Sequence, residues 1–446
     1  MKRGISLTSL VIFSALLITN AYTIYSKTPL IESIRVDKTR MIVKPNKEFA
    51  EEYLLGDFFL EYDQADNPDF DLHALDFSIL TMPFVMTVMP IIWASNKTYT
   101  ISSMDKTVHE SLKEIKTVFK LFYPSISWDG TLEPEELRQN NLPKKEDCTL
   151  VSFSAGVDST YASFKHSDKQ QHLFIIKAEK YPAQSKSLWQ ESKKAVAEFA
   201  QNYGHTFSSA RSNWKSFLKN SALKTLCPNI PKMWWGYTTQ SLGYAGIAAP
   251  LMFLNGYKEL VIGATHTKKF PHPWGSHPLI DNKIKFADNA HVTHTGYEAT
   301  RMDKLSFIHN HCCDIELRKP FLRVCHSFGY YSHGNCRVCE KCYRTMLGLI
   351  ALNANLEEYG FNITEQKAIK RINKFLKKPP VFTNGLTFHW ESIQDLIKEN
   401  LEKKIKRSLS TVLFFEWFSA LDLQAFNTQV ESPIKKIDWD TLEYVD

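Results

Sequence analysis

Between residues 148 and 310, short apolar runs alternate with segments of helical periodicity, and this alternation constrains the fold more than any other feature of the chain. Cys148–Ser154 reads as a strand, and Ser159–Lys165 opens a helix. Leu173–Lys177 reads as a second strand and Ser187–Tyr203 as a second helix. Ser241–Leu254 is an apolar helix rich in small residues, followed by a strand at Glu259–Gly263. A strand that is followed by a helix and then by another strand pairs in parallel, with a right-handed crossover. The expected fold class is therefore α/β, a doubly wound parallel sheet. Such sheets bind ligands outside the carboxyl ends of their strands.

The flanks divide the remaining chain. Residues 29–147 are expected to form an α+β N-terminal domain. Ile34–Val43 and Phe58–Tyr62 read as strands, with an acidic turn at Asp63–Asp71. Ile79–Ala94 is a long apolar stretch interrupted by Pro83 and Pro90, which points to buried core rather than a membrane span. Val108, Leu112, Ile115, Phe119 and Phe122 fall on one face of a helix. The polar run Glu133–Asp147 reads as a linker. Residues 148–310 are the expected nucleotide domain, 311–359 a cysteine region, and 360–446 a helical C-terminal extension. Residues 1–28 carry Lys2 and Arg3 ahead of an apolar stretch at Ile5–Tyr25. That segment is similar to a signal peptide or a weak membrane anchor; a later start, with Met41 as one choice, or an apolar helix that is not translocated are the alternatives.

Composition excludes several classes. With 43% hydrophobic and 23% charged residues, the 446-residue chain is neither disordered nor fibrous. The net charge of +6 is too mild to imply DNA binding, and the basic runs Lys367–Lys378 and Lys398–Arg407 read as solvated helix faces.

At the end of the Cys148–Ser154 strand stands Ser154-Ala155-Gly156-Val157-Asp158-Ser159. A strand, a small-residue loop and a helix start make an anion cradle. Gly156 lets the backbone approach closely, Ser154 and Ser159 offer hydroxyls, and the helix start offers free N–H groups. Asp158 would cap the helix or ligate a Mg²⁺ that bridges phosphates. The expected ATP-binding residues are Ser152, Phe153, Ser154, Ala155, Gly156, Val157, Asp158, Ser159 and Thr160. Gly263 and Ala264 join them from the next strand end, Val261-Ile262-Gly263-Ala264-Thr265-His266.

Four of the eight cysteines, Cys325, Cys336, Cys339 and Cys342, are spaced C-x10-C-x2-C-x2-C. Two-residue spacing in a tight knuckle lets thiolates converge on one ion, and a fourth from upstream closes a tetrahedron. This is the pattern of structural Zn²⁺, with an iron–sulfur cluster as the alternative. Cys312 and Cys313 read as core thiols, and Cys148 and Cys227 as isolated ones.

Ser154–Ser159 resembles the Ser-Gly-Gly-x-Asp-Ser loop of the PP-loop (adenine nucleotide α-hydrolase-like) superfamily, with Ala155 where Gly is usual. Asn335-Cys336-Arg337-Val338-Cys339-Glu340-Lys341-Cys342-Tyr343-Arg344 resembles the zinc knuckle of the 7-cyano-7-deazaguanine synthase family within it. The resemblance covers about 148–350. It implies an ATP-dependent ligase that forms AMP and pyrophosphate and adenylates the carboxylate of a 7-deazaguanine-like substrate. It implies ATP, Mg²⁺ and Zn²⁺ as cofactors, and it places Lys304 where the family has a lysine. Ala155 is compatible with this loop if its φ is negative. The family's substrate segments are replaced here by Lys177-Ala178-Glu179-Lys180-Tyr181 and by Pro273–Asp281. The whole chain looks more like larger relatives with an added N-terminal domain, some of them in antiphage defence. Its expected partners are a small deazapurine, a protein acceptor or defence-system proteins, and a second copy of the chain. An ATP-consuming enzyme with reduced cysteines is expected in the cytoplasm, with the N-terminal segment as a potential membrane contact.

Five residues are expected to act in catalysis. These are Asp158; Lys304 and Arg301, whose charges would neutralise pyrophosphate; and His277 and Asp281, which fall in a replaced substrate segment. Glu298, Arg301 and Lys304 are expected on one helix. His266, His272, His291 and His294 read as loop histidines; with Asp281 and Asp288 between them, a general base or a second metal is the alternative. Trp234 and Trp235 either stack on a base or pack. Two other functions stay open: tRNA thiolation, with Cys227 as catalytic thiol, and a non-catalytic nucleotide-binding role in a defence complex.

Overall fold

The computed structural model describes residues 28–66, 68–143, 148–178, 186–231, 233–325, 334–378, 381–403 and 406–427. The apolar N-terminal stretch Ile5–Tyr25 and the segment Glu179–Tyr181 lie outside them. Among the described residues no helix is long and apolar enough to cross a membrane.

The chain is α/β, with fourteen α-helices and two sheets among the described residues. The strands are β1 (Thr28–Pro29), β2 (Ile31–Val36), β3 (Arg40–Pro45), β4 (Phe58–Tyr62), β5 (Thr98–Asp105) and β6 (Thr131–Arg138). They continue with β7 (Cys148–Ser152), β8 (Gln170–Ala178), β9 (Thr206–Ser212), β10 (Glu259–Gly263), β11 (Lys285–Phe286) and β12 (Ala290–Thr295). A small sheet, β1-β5-β6, is wholly parallel. The large sheet has nine strands in the order β11-β12-β10-β7-β8-β9-β4-β3-β2.

The large sheet is mixed, which corrects the expectation of a parallel one. Its centre, β12-β10-β7-β8-β9, is parallel. β4, β3 and β2 add to it antiparallel, as does β11 at the other edge. The reason lies in the N-terminal hairpin. Ile34–Val43 turns back at residues 37–39 and so gives two strands rather than one. Thus β4 of the N-terminal region hydrogen-bonds β9, from residues 148–310, in a single sheet. The run expected as linker contains β6, an exposed strand whose pairing with β5 supplies the backbone bonds that its polar sequence does not advertise.

Alternate residues of the central strands enter different cores, as the period of two requires. Leu150, Phe174, Leu260 and Ile262 face one core, with the N-terminal region and the helix Gln240–Asn255. Val151, Leu173, Ile175 and Val261 face the other. That second core holds the helices Val157–Lys165, Arg301–Asp314, Glu340–Ala351 and Asn384–Glu402. The apolar stretch at 79–94 is a helix, Met82–Ser95, buried through Ala94 with Pro90 inside it. The order of strand addition reverses at β7: the next strands, β8 and β9, build to one side, and β10 and β12 to the other. The carboxyl end of β7 therefore opens into the crevice where ligands of such sheets bind.

Candidate functional site

The loop leaving β7 is held by unusual backbone geometry. Ala155 adopts φ +58° and is buried. The sequence expectation required a negative φ there, so the methyl group is carried in the left-handed region, at a cost of about 1 kcal/mol. The Ala155 carbonyl accepts a hydrogen bond from the Arg323 N–H at 2.7 Å, which ties the loop to the strand of chain entering the cysteine region. Gly156 is the N-cap of the helix Val157–Lys165, and no side chain caps that helix. The Ser159 hydroxyl accepts from the Ser154 N–H at 3.2 Å and lies 3.3 Å from the Ser154 hydroxyl. Two hydroxyls and uncapped N–H groups thus meet at one helix start.

The other expected nucleotide residues divide sharply. Phe153, Val157 and Thr160 turn their side chains into the core, and Phe153 packs on Phe199 at 4.4 Å. Only their backbones can serve a ligand. The Thr160 hydroxyl is buried without a partner among the described residues. Ser152 is half-buried in β7. A Cβ on Gly263 would stand 2.5 Å from the Asp158 carbonyl oxygen, so this glycine admits the start of the loop's own helix. The Ala264 carbonyl accepts from Lys304 Nζ at 2.6 Å.

Asp158 is not the helix cap. Its carboxylate lies 3.2 Å from Arg301 Nη1 and 3.3 Å from Lys304 Nζ. Lys304 is 2% exposed. Burial would raise the Asp158 carboxyl, but the charges of Lys304 and Arg301 bring it below the usual carboxylate range. Burial lowers the Lys304 ammonium while Asp158 opposes the shift. Arg301 and Lys304 share the helix Arg301–Asp314, which Thr300 and Asp303 cap reciprocally. Glu298 lies before that helix rather than on it, and it accepts from the Tyr161 hydroxyl at 2.8 Å.

Two further cations come from a helix that the sequence reading assigned to metal alone. Lys341 lies within electrostatic reach of Arg301 and Asp158, and burial lowers its ammonium. Arg344 is 4% exposed, and its Nη1 has no partner among the described residues. Its Nε lies 3.3 Å from Glu340 but not in hydrogen-bonding geometry. Burial brings the Arg344 guanidinium down to about 10.

His277 and Asp281 form a separate buried constellation. Asp281 is fully buried; it accepts from His294 Nδ1 at 2.6 Å, from the Ser276 hydroxyl at 3.0 Å and from the His277 N–H at 3.1 Å. His277 Nδ1 accepts from the Leu279 N–H, which makes Nε2 the donor to the Tyr297 hydroxyl at 3.0 Å. Burial pushes the His277 imidazole down to about 2. His294, expected as a loop histidine, lies instead on β12: Asp281 orients it, and its Nε2 is buried without a partner among the described residues. The position of His294 on β12 beside β10 was the missing signal. His266 links the two groups, because it feels Asp158 and Lys304 as well as His294. Burial, reinforced by His272, pushes His266 down to about 3. Trp274 packs on His266 at 5.2 Å and on Tyr237 at 4.7 Å, with Trp235 at 6.4 Å. Trp234 is core. His291 bonds only its local backbone.

On the other side of the loop a cavity of about 300 Å³ is lined by Ser154, Ile175, Ile176, Lys177, Arg323 and Cys325, among others. A larger cavity of about 660 Å³ lies in the N-terminal region between the helix Lys106–Phe122 and β6. The smaller one adjoins the loop and the strand ends, so it is the one the chemistry can use.

The four knuckle cysteines do converge. Their sulfurs all lie within 4.8 Å of one another, with Cys336–Cys342 at 3.8 Å and Cys325–Cys339 at 3.9 Å. A tetrahedral ion with bonds of about 2.3 Å spaces its sulfurs about 3.8 Å apart, whereas a disulfide needs about 2.05 Å. The N–H groups of Val338 and Cys339 point at the Cys336 sulfur, at 3.4 and 3.2 Å. Arg337, at φ +60°, makes the tight turn between them. The cluster could hold a metal ion such as zinc. Of the two cysteines expected as core thiols, Cys312 is buried but Cys313 is exposed; of the isolated pair, Cys227 is buried and Cys148 half-buried.

A scan against protein-family models matches none, and a search of curated proteins finds no match.

Proposed function

We propose that the chain is a PP-loop enzyme that cleaves ATP to AMP and pyrophosphate and adenylates a carboxylate. The observation that carries this reading is the uncapped helix start at Gly156, with two serine hydroxyls facing it and Lys304 and Arg301 alongside. A doubly wound arrangement about β7 would set pyrophosphate on the loop. The 300 Å³ cavity at the ends of β7 and β8 would take the adenosine. The attacking carboxylate would approach from the His266 side, where Trp274 offers a face for a planar heterocycle such as a 7-deazaguanine. Preorganised N–H groups and the two cations would stabilise charge on the phosphates as the bond breaks. Magnesium would arrive as the counter-ion of ATP, with Asp158 the carboxylate the loop itself supplies.

His294 suits the second half-reaction. Held by Asp281 and with Nε2 unpaired, it can accept the proton from an amine that displaces AMP. Zinc at the knuckle supplies a structural crosslink with no open position. Thiolation is less well supported: Cys227 is 1% exposed, and burial pushes its thiol up to about 12. A thiolate nucleophile requires the opposite environment.

The test is incubation with ATP, ammonia and 7-carboxy-7-deazaguanine. Formation of AMP that depends on the heterocycle supports the reading. Folded protein that releases no AMP with any deazaguanine carboxylate removes this substrate class, and AMP release unchanged in Asp158→Ala removes the loop as the site.

A further inference from the structure

The C-terminal helix Asn384–Glu402 packs on both helices that carry the site's cations, Arg301–Asp314 and Glu340–Ala351. Two residues, one on either side of His389, fix it there. Phe388 stacks on Phe270, from the loop after β10, with ring centroids 5.2 Å apart. Trp390 donates its indole N–H to Glu340 at 3.0 Å. His389 stands between these two anchors, and its Nδ1 is sealed from solvent with no partner among the described residues.

The surroundings of His389 are cationic. Arg344, Arg301 and Lys304 all act on it, together with His266. Arg344 Nη1 and Arg301 Nε are likewise buried without partners. Buried polar groups are normally satisfied, and a cluster of unsatisfied donors marks a place for a missing acceptor. The carboxylates nearby are already committed. Asp158 holds Arg301 and Lys304, Glu298 holds Tyr161, and Glu340 receives Trp390. Unpartnered nitrogens on three mutually packed helices, two of them on guanidinium groups, suit an anion with several oxygens.

We infer that the C-terminal helix forms one wall of a polyphosphate site, with His389 and Arg344 binding the anion from the side opposite the Ser154–Ser159 loop. This rests on reading that loop as a nucleotide-phosphate site, and it makes the C-terminal unit part of the binding machinery. It also gives the cysteine knuckle a task. Cys339 is the N-cap of the helix that carries Arg344, so a metal held there sets the position of the guanidinium.

The probe is inorganic pyrophosphate, titrated calorimetrically into the full chain. His389→Gln and Arg344→Gln should each weaken it about tenfold, the loss of one hydrogen bond to a charged partner. Unfolding midpoints measured alongside show whether each variant is folded. A direct readout avoids dependence on the variants: with ring-labelled histidine, the resonance missing from His389→Gln should shift in the wild type on saturation with pyrophosphate. Affinity within twofold of wild type in folded His389→Gln, or a His389 resonance that does not move, overturns this inference and leaves the loop's role intact. Failure of the wild-type chain to bind pyrophosphate overturns both.

Discussion

Two buried polar groups flank the carboxyl ends of the central strands, and they are built on opposite principles. Around Asp158, cations crowd one carboxylate, and guanidinium and imidazole nitrogens are left without partners. Around Asp281, nearly every polar atom is satisfied, and a single ring nitrogen, His294 Nε2, is left over. On the proposed reading, the first arrangement would take an anion and the second would aim one base, and His266 feels charges of both groups.

The largest expected effect tests what supports the first group. Cys342→Ser removes a thiolate from the knuckle at the start of the Arg344 helix, and chelation would remove a metal held there. Structural zinc contributes roughly 10 kcal/mol or more in small domains, so the second core should loosen, seen as a fall in the thermal midpoint of well over 10 °C. An unchanged midpoint after metal removal would separate the knuckle from the fold. Next, Lys304→Ala leaves the part-buried Asp158 with only Arg301. Loss of one charged partner there costs about 2 kcal/mol, measurable by urea unfolding, and phosphate affinity should fall with it.

The second group should respond differently. His294→Gln removes the base but keeps the shape, so kcat should drop roughly a hundredfold with KM for ATP held. A change in KM instead would mean that the imidazole binds rather than transfers a proton. The buried histidines and Asp158 respond to acid in separate windows. Burial lowers His266, His272 and His277, to about 3, 4 and 2. Below the ordinary histidine value of 6.5, therefore, the unfolded chain takes up protons that the folded chain refuses. Stability is fully present above pH 6.5 and is lost as pH falls below it, by about 1.4 kcal/mol per pH unit for each such histidine. Asp158, whose folded carboxyl lies below 3.8, adds its loss only at lower pH. A urea midpoint that stays flat from pH 7 to pH 5 would contradict the burial of the histidines. The smallest effect is Ala155→Gly, which relieves a left-handed backbone and should raise stability by up to about 1 kcal/mol.

The two groups also differ in how far the sequence announces them. The Ser154–Ser159 loop, the strand Glu259–Gly263 and the cysteine knuckle are local patterns, and the structure places each as a local pattern can be placed: strand, turn, helix and four converging sulfurs. Lys304 was marked by the family resemblance, and Arg301 lies one helical turn before it. Arg344 was hidden inside the metal motif, and His389 lies some 230 residues from Asp158 on a segment that read only as helical. Their role depends on the packing of three helices, which no local window contains. The antiparallel additions β2–β4 were missed for a similar reason. Pairing of β4 with β9 joins residues about 150 apart, and nothing in Phe58–Tyr62 alone names its neighbour. The positive φ of Ala155 follows from the tie to Arg323, again a long-range bond.

The most direct test of the central claim is which bond of ATP breaks. Two parallel reactions with a deazaguanine carboxylate and ammonia, one with ATP radiolabelled at the α phosphate and one at the γ phosphate, should give labelled AMP in the first and labelled pyrophosphate in the second. Both products should vanish in Asp158→Ala. Labelled ADP from the first reaction and free phosphate from the second would contradict the account, because the loop would then be holding ATP for a different cleavage.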